Sequence, residues 1–329
     1  LDISKLENKI FDIQSDSDFN ALSLQVFNFQ YNNVKVYKEF CDLLKRNPEN
    51  VESYLDIPCL PINFFKTNKI IADNYTPEIN FESSGTTGSE LSRHYVAKKE
   101  LYNKSFLKCF RQFYGEPSAY CIVGLLPSYI ERGNSSLVYM VNQLIKLSQN
   151  ENSGFYLNNY SELNELLVKN ENNKQKTLVF GVSYALLDMA ENYPTNLSYT
   201  TIVETGGMKG KRKELIREEL HEILKNAFGV SQIHSEYGMT ELLSQAYLTN
   251  AEIFQSPNWM KVLIREVESP LVLLGKEKVG GINIIDLANL YSCSFIATQD
   301  LGKKHDNCSF EVLGRFDNSD IRGCNLLVS

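Results

Sequence analysis

"TLVFGVSYALLDMAENYPTNLSYTTIVETGG", residues 177–207, reads as strand, helix, strand and glycine turn in one pass. Two short apolar runs, "TLVFGV" and "YTTIVET", flank "SYALLDMAENY", whose apolar residues recur at helical spacing. The same exchange begins near residue 119, where "AYCIVGLL" precedes "NSSLVYMVNQLIKL". It continues past "YTTIVET" with "KRKELIREELHEILKNAF" and closes at "VSQIHSEYG". Regular alternation of this kind predicts parallel βαβ units joined by right-handed crossovers, hence an α/β fold.

Working outward, the first fifty residues are helical in pattern: "LDISKLENKIFDI", "DFNALSLQVFNFQYNN" and "VKVYKEFCDLLKR" carry apolar residues at helical intervals, with Asp and Asn near the starts. "IPCLPINFF" interrupts them with two prolines. After residue 242 the pattern changes to "LVLLG", "GGINIIDL", "CSFIATQD" and "SFEVLGR", which predicts a smaller, more antiparallel β region, as a second sheet or a small barrel. The expected organisation is a helical region at 1–60, an α/β core at 61–241 and a β-rich part at 242–329 ending in a short tail.

Composition narrows the classes. The 329-residue chain is 43% hydrophobic and 22% charged, with a formal net charge of -7. An acidic balance argues against a nucleic-acid or anionic-membrane partner. No apolar run approaches the roughly 20 residues that span a bilayer, and the start has no basic, apolar leader; a cytoplasmic protein is expected. Leu1 in place of Met points to a trimmed start. Seven cysteines, without CxxC spacing, and four scattered histidines argue against a zinc site or a disulfide framework.

Ligands of an open parallel sheet sit outside the carboxyl ends of its strands. "TGGMKG" follows the strand "TTIVE" and "YGMTE" follows "SQIHSE", so both turns face one crevice. "NFESSGTTGSELSRHY" adds a loop in which Ser83, Ser84, Gly85, Thr86, Thr87 and Gly88 offer hydroxyls and backbone N–H groups without bulky side chains. Successive N–H groups in such a turn form an anion nest. The loop lacks the Lys of a Walker A motif, and the alternation around it predicts a strand on each side. Taken alone it also reads as a hairpin tip. Near the end, Cys324 is open to two readings, a small buried apolar group or a reactive thiol on a short tail.

The ordered series "SSGTTG", "GG", "YGMTE", "ATQDLG" and "GRFDNSDIRG" resembles that of the adenylate-forming enzymes. Within them, "LPINFFKTNKI" ahead of "FESSGTTGSELSRHY", and the ending "DIRGCNLL", are most similar to the acyl-protein synthetase (LuxE-type) subunits of bacterial fatty-acid reductase complexes. The phenylacetate-CoA ligases are a more distant likeness. The resemblance implies ATP-dependent activation of a carboxylic acid, fatty in those relatives, as an acyl-adenylate. It implies that residues 83–88 hold the ATP phosphates and that Gly206 and Gly207 line the adenine site. Tyr237 would stack on adenine, with Gly238 beside it, Thr240 would meet the α-phosphate, Glu241 would bind Mg²⁺, and Asp300 and Arg315 would grip the ribose. Cys324 matches a cysteine that takes the acyl group as a thioester and passes it to a partner, a reductase or carrier protein.

Those residue types suit the chemistry. A carboxylate is already ionised at neutral pH, so its attack on phosphorus needs positioning and charge neutralisation rather than a strong base. One departure stands out: most adenylate-forming enzymes continue past the "GR" motif into a small C-terminal domain carrying a Lys, whereas the sequence ends six residues after Gly323. Three readings therefore stay open: adenylation without that Lys, a partner subunit that supplies the missing groups, and a non-catalytic subunit that only binds acyl or nucleotide ligands; a CoA ligase of the same superfamily is the alternative to acyl transfer through Cys324.

Overall fold

The computed structural model describes residues 2–83, 91–126, 134–207, 212, 215–250, 253–305 and 309–316. Among these, fifteen strands are β1 Leu60–Pro61, β2 Ile79–Glu82, β3 Arg93–Val96, β4 Cys121–Leu125, β5 Gly154–Phe155, β6 Thr177–Gly181, β7 Thr200–Glu204, β8 His234–Tyr237, β9 Ala246–Leu248, β10 Phe254–Gln255, β11 Met260–Arg265, β12 Leu273–Leu274, β13 Val279–Asp286, β14 Phe295–Lys304 and β15 Ser309–Arg315. Thirteen of them join one sheet in the order β12-β11-β13-β14-β15-β10-β9-β8-β7-β6-β4-β5, with β1 against the first part of β14. The strands β5, β4, β6, β7 and β8 run parallel, as the βαβ pattern predicts. From β9 onward every neighbouring pair along this order is antiparallel, and only β1, off the path, runs parallel to its neighbour β14. The antiparallel region is thus continuous with the parallel one instead of forming a separate sheet or barrel. The link is β9, which hydrogen-bonds back onto β8 with Ser235 opposite Leu248 and Tyr237 opposite Ala246.

Physical reasons for these elements are local. Residues of β4 and β6 are buried throughout, so both faces are covered and the strands read as unbroken apolar runs. The covering helices include Ser136–Ser148 and Ser183–Asn192, and the helix Arg217–Phe228 ends at Gly229, whose φ of 61° suits a left-handed cap. The long N-terminal helix Asp16–Asn33 opens with a capping box: the Ser15 hydroxyl accepts from the Asp18 N–H at 3.1 Å, while the Asp18 carboxylate accepts from the Ser15 N–H at 3.0 Å. Its inward face carries Phe19, Leu22, Val26 and Phe27, and also Gln30. Gln30 donates to the Asn289 and Leu290 carbonyls at 3.0 and 2.9 Å and accepts from the Ser294 N–H at 3.0 Å. This pins the helical N-terminal part to the segment 286–294 that supports the site.

A separate two-stranded sheet, β2 with β3, brackets residues 84–90 with Glu82 opposite Arg93. A strand therefore lies on each side of the Ser/Thr/Gly loop, as expected. The described residues include no helix long and apolar enough to cross a membrane.

Candidate active site

The site forms where the carboxyl ends of β6, β7 and β8 meet the antiparallel strands. After β7 the chain turns through Gly206 and Gly207, whose φ values of 75° and 97° lie where side chains with a Cβ are strained. Glu204, the last residue of β7, locks this turn: its carboxylate accepts from the Gly206 N–H at 2.6 Å and from the Ser183 hydroxyl at 2.5 Å.

After β8, residues 238–244 form a tight turn carrying Gly238, Thr240 and Glu241. Glu241 is only 5% exposed, and burial pushes its carboxyl above the usual range, opposed by a Ser92 hydrogen bond and by the charges of Arg315 and Lys66. Ser92 in turn closes the base of the Ser/Thr/Gly loop: its N–H donates to the Ser83 hydroxyl at 3.0 Å, and its carbonyl accepts from the Ser83 N–H at 3.0 Å. Ser83 is thereby placed; Ser84, Gly85, Thr86, Thr87 and Gly88 lie outside the described residues.

Three side chains that the sequence did not single out hold this turn. His94 on β3 is fully buried; its Nδ1 donates to the Thr240 carbonyl at 2.8 Å and its Nε2 faces Asn289 Oδ1 at 2.9 Å. Asn289 donates from its amide nitrogen to the Glu241 and Cys293 carbonyls, each at 2.8 Å. The ring satisfies both acceptors only as a cation, whereas burial without a counter-charge pulls its pKa down to about 4. Asp286, also fully buried, accepts from the Leu243 and Ser244 N–H groups at 2.8 and 2.9 Å and from the Ser244 hydroxyl at 2.6 Å. Satisfied buried polar groups of this kind fix one backbone geometry. A signal existed for His94, since it sits in a strand-like stretch directly after the Ser/Thr/Gly loop. Nothing local marks Asn289 or Asp286, whose partners in the 238–244 turn lie more than 40 positions away in sequence.

On the other side of the crevice, Asp300 on β14 stands directly opposite Arg315 on β15. The Arg315 Nε donates to Asp300 Oδ1 at 3.1 Å, and the Tyr237 hydroxyl donates to Asp300 Oδ2 at 2.7 Å. Desolvation, together with the Asp300 charge, raises the Tyr237 pKa well above its usual value, so the phenol stays a donor. Its ring packs against Phe254 and Phe310 at centroid distances of 5.8 and 5.6 Å. Arg315 is 61% exposed at its side chain against 8% for Asp300. Tyr237, Asp300 and Arg315, spread over 79 positions of sequence, thus meet as one polar trio, adjacent through β8 to the turn carrying Thr240 and Glu241.

No group of three or more His, Cys, Asp or Glu side chains is arranged to hold a metal ion among the described residues. A buried carboxylate such as Glu241, with no ion pair among the described residues, nonetheless fits a Mg²⁺ that would take its other ligands from nucleotide phosphates and water. Five cysteines are described, all as free thiols. Burial pushes Cys41 and Cys59 up to about 12 and raises Cys109, Cys121 and Cys293, which disfavours the nucleophilic thiolate at each. Cys324 lies outside the described residues.

This architecture is that of the adenylate-forming ligases. ATP-bound MatB from Rhodopseudomonas palustris superposes with a TM-score of 0.55 at 15% identity, covering 72% of this chain and 47% of that one. A 2-hydroxyisobutyryl-CoA ligase in complex with 2-HIB-AMP superposes with a TM-score of 0.67 at 11% identity, covering 92% and 68%. The same ligase with CoA in its thioesterification state gives 0.64 at 10%, covering 96% and 68%. The chain spans about half the length of MatB. No curated protein matches it in sequence. The sequence model of the acyl-protein synthetase family, LuxE, matches residues 10–329, and the chain belongs to that family.

Proposed function

We propose that the protein activates a carboxylic acid, fatty in kind, with ATP as an acyl-adenylate, and transfers the acyl group to the Cys324 thiol for delivery to a partner protein. The observation that carries this reading is the trio Tyr237, Asp300 and Arg315 set beside the turn of Thr240 and Glu241. The trio offers a phenol face, a carboxylate acceptor and a guanidinium donor, which suit an adenine ring and a ribose diol. The neighbouring turn offers a hydroxyl and a carboxylate where phosphates would lie. The ATP and acyl-AMP bound to MatB and the 2-hydroxyisobutyryl-CoA ligase support ATP as co-substrate.

In the first half-reaction a substrate carboxylate oxygen attacks the α-phosphorus; the bond from that phosphorus to the bridging oxygen breaks, and pyrophosphate leaves. The chain's share is orientation by the Asp300 trio and by Thr240, held in place by the His94 and Asn289 hydrogen bonds. A Mg²⁺ held by Glu241 and the ATP phosphates would neutralise their charge. In the second half-reaction the Cys324 thiolate attacks the acyl carbon, the bond to the AMP oxygen breaks, and the thiol proton passes to solvent. The raised pKa values of the five described cysteines favour a thiol elsewhere in the chain as acceptor.

Carboxylic-acid-dependent ATP–pyrophosphate exchange tests the first step. Its absence with every acid would overturn adenylation and leave a ligand-binding subunit. Labelling with a radioactive acid and ATP tests the second: a hydroxylamine-labile protein label is expected, lost in Cys324→Ser while exchange persists. Formation of acyl-CoA by the single chain would instead identify a CoA ligase.

A further inference from the structure

Asp300, the acceptor at the centre of the polar trio, does not stand in a regular ladder. Gly281 on β13 lies opposite Leu301 on β14, while Asn283 lies opposite Ala297, so Ile282 alone faces Thr298, Gln299 and Asp300. The pairing is thus broken at the very residue the site uses, and a bulge of this kind re-aims a side chain. The backbone groups that the break displaces still need hydrogen-bond partners.

One side chain supplies them. Arg265 on β11 is 6% exposed and reaches across β13 to β14: its Nη1 donates to the Ile282 carbonyl at 2.7 Å and to Asn283 Oδ1 at 2.9 Å, and its Nη2 donates to the Thr298 carbonyl at 2.6 Å. The network continues into the site. The Thr298 hydroxyl donates to the same Ile282 carbonyl at 2.9 Å and accepts from the Asp300 N–H at 3.1 Å. Phe316, directly after Arg315, donates its N–H to the Gln299 carbonyl at 3.0 Å, and its ring centroid lies 5.5 Å from the guanidinium of Arg265. One guanidinium therefore ties together the backbone around Asp300 and the residue that follows Arg315.

Glycine keeps room for it. A Cβ on Gly281 would come within 2.6 Å of Arg265 Cζ and 2.8 Å of its Nη1. Burying a cation is costly unless its donors are met, and a rigid planar fork is the side chain that can bond oxygens of two strands at once. A lysine would bring the charge without the fork. Since the bonds of Arg265 go to the backbone around Asp300, any effect on a ligand passes through Asp300.

We propose that Arg265 is a positioning residue of the nucleotide site: through the Ile282 and Thr298 carbonyls it sets the bulge that aims the Asp300 carboxylate, and thereby the selection of ribose over deoxyribose. The proposal rests on the reading of Asp300 as acceptor for the ribose hydroxyls.

The experiment measures affinity by calorimetry for ATP, 2′-deoxy-ATP and 3′-deoxy-ATP, which needs no acid. Wild type, Arg265→Lys, Gly281→Ala, Asp300→Ala and the double variant Arg265→Lys with Asp300→Ala are compared. Wild type should bind ATP at least about 10-fold more tightly than one of the deoxy nucleotides, the worth of a hydrogen bond to a charged group. Arg265→Lys should raise the Kd for ATP about 10-fold and hardly move that of the disfavoured analogue, so the preference collapses. Gly281→Ala crowds the guanidinium without removing it and should shrink the preference in the same direction; it is the test if the Lys variant does not fold. The double variant should lose no more than Asp300→Ala alone, because one residue acts through the other. Equal weakening of all three nucleotides, losses that add in the double variant, or unchanged affinities in both Arg265→Lys and Gly281→Ala overturn the proposal and leave Arg265 a purely structural residue. Failure of the underlying reading looks different: wild type and Asp300→Ala would then each bind the three nucleotides alike, and the role of Arg265 falls with that of Asp300.

Discussion

The two faces of β8 differ sharply in how their polar groups are matched. On one face Tyr237 finds Asp300, and Asp300 finds Arg315, so the three groups hold one another in place before any ligand arrives. On the other face Gln245 Oε1 and the Tyr247 hydroxyl have no hydrogen-bond partner among the described residues. The difference separates a preassembled grip, whose geometry is fixed by protein contacts, from a face that such contacts leave partly unmatched. Between them lies the turn 238–244, held from behind by His94, Asn289 and Asp286. The turn is thus flanked by one closed and one open polar set.

The comparison breaks most severely at the turn both faces share. Glu241→Gln should lower kcat for pyrophosphate exchange by about 10²- to 10³-fold, the usual loss when one electrostatic stabiliser is removed, with ATP binding by calorimetry reduced far less. Next is His94→Ala, which empties a buried site and strands the Thr240 carbonyl and the Asn289 oxygen. Chemical denaturation should show a loss of about 2 to 4 kcal/mol, and kcat should fall more than KM changes.

On the closed face, Asp300→Ala removes the acceptor shared by Tyr237 and Arg315. The KM for ATP should rise about 10- to 100-fold, as for loss of hydrogen bonds to a charged group, with little effect on the KM for the acid. On the open face, Glu236→Gln should stabilise the protein by about 1 to 3 kcal/mol above pH 8, because a half-buried carboxylate is replaced by a neutral group. The sign with pH is defined. The folded pKa, which burial and the Glu204 charge raise to about 8, lies above the unfolded value of 4.5, so the wild type loses stability as pH rises through that window. The advantage of the Gln variant over wild type should therefore grow from pH 4.5 to 8 and level off above it, as melting curves in a buffer series would show. Smallest is Arg315→Ala: its exposed pairing with Asp300 is worth no more than about 1 kcal/mol in stability, and only the KM for ATP should move, by a few-fold.

Much of this site was legible because its parts lie in short, ordered motifs. Tyr237, Thr240 and Glu241 lie within the five residues of "YGMTE", and the glycines at 206 and 207 announce a turn that a Cβ would strain. The helices declared themselves by spacing and, in the case of Ser15 and Asp18, by a reciprocal cap. Asn289 and Asp286 were not legible, and the position of His94 after the Ser/Thr/Gly loop was only a faint signal, since a lone histidine in a strand looks like any core residue until its partners are placed. The antiparallel part was legible as strands but not as a continuation of the parallel sheet. That depends on β9 pairing back onto β8, and strand pairing is decided by register and packing across the chain, not by the residues of either strand.

The sequence by itself determined the βαβ rhythm and the glycine turns, because these rest on periodicity and on backbone conformations that few residues tolerate. Only the tertiary structure decided which polar groups are satisfied. It brings Asp300 to Tyr237 across 63 positions and His94 to Asn289 across 195, and among the described residues it leaves Gln245 Oε1 and the Tyr247 hydroxyl without a hydrogen-bond partner. Hydrogen bonds are short-ranged and directional, so whether a buried group is met or unmet is a property of the folded arrangement and is not written in any one segment.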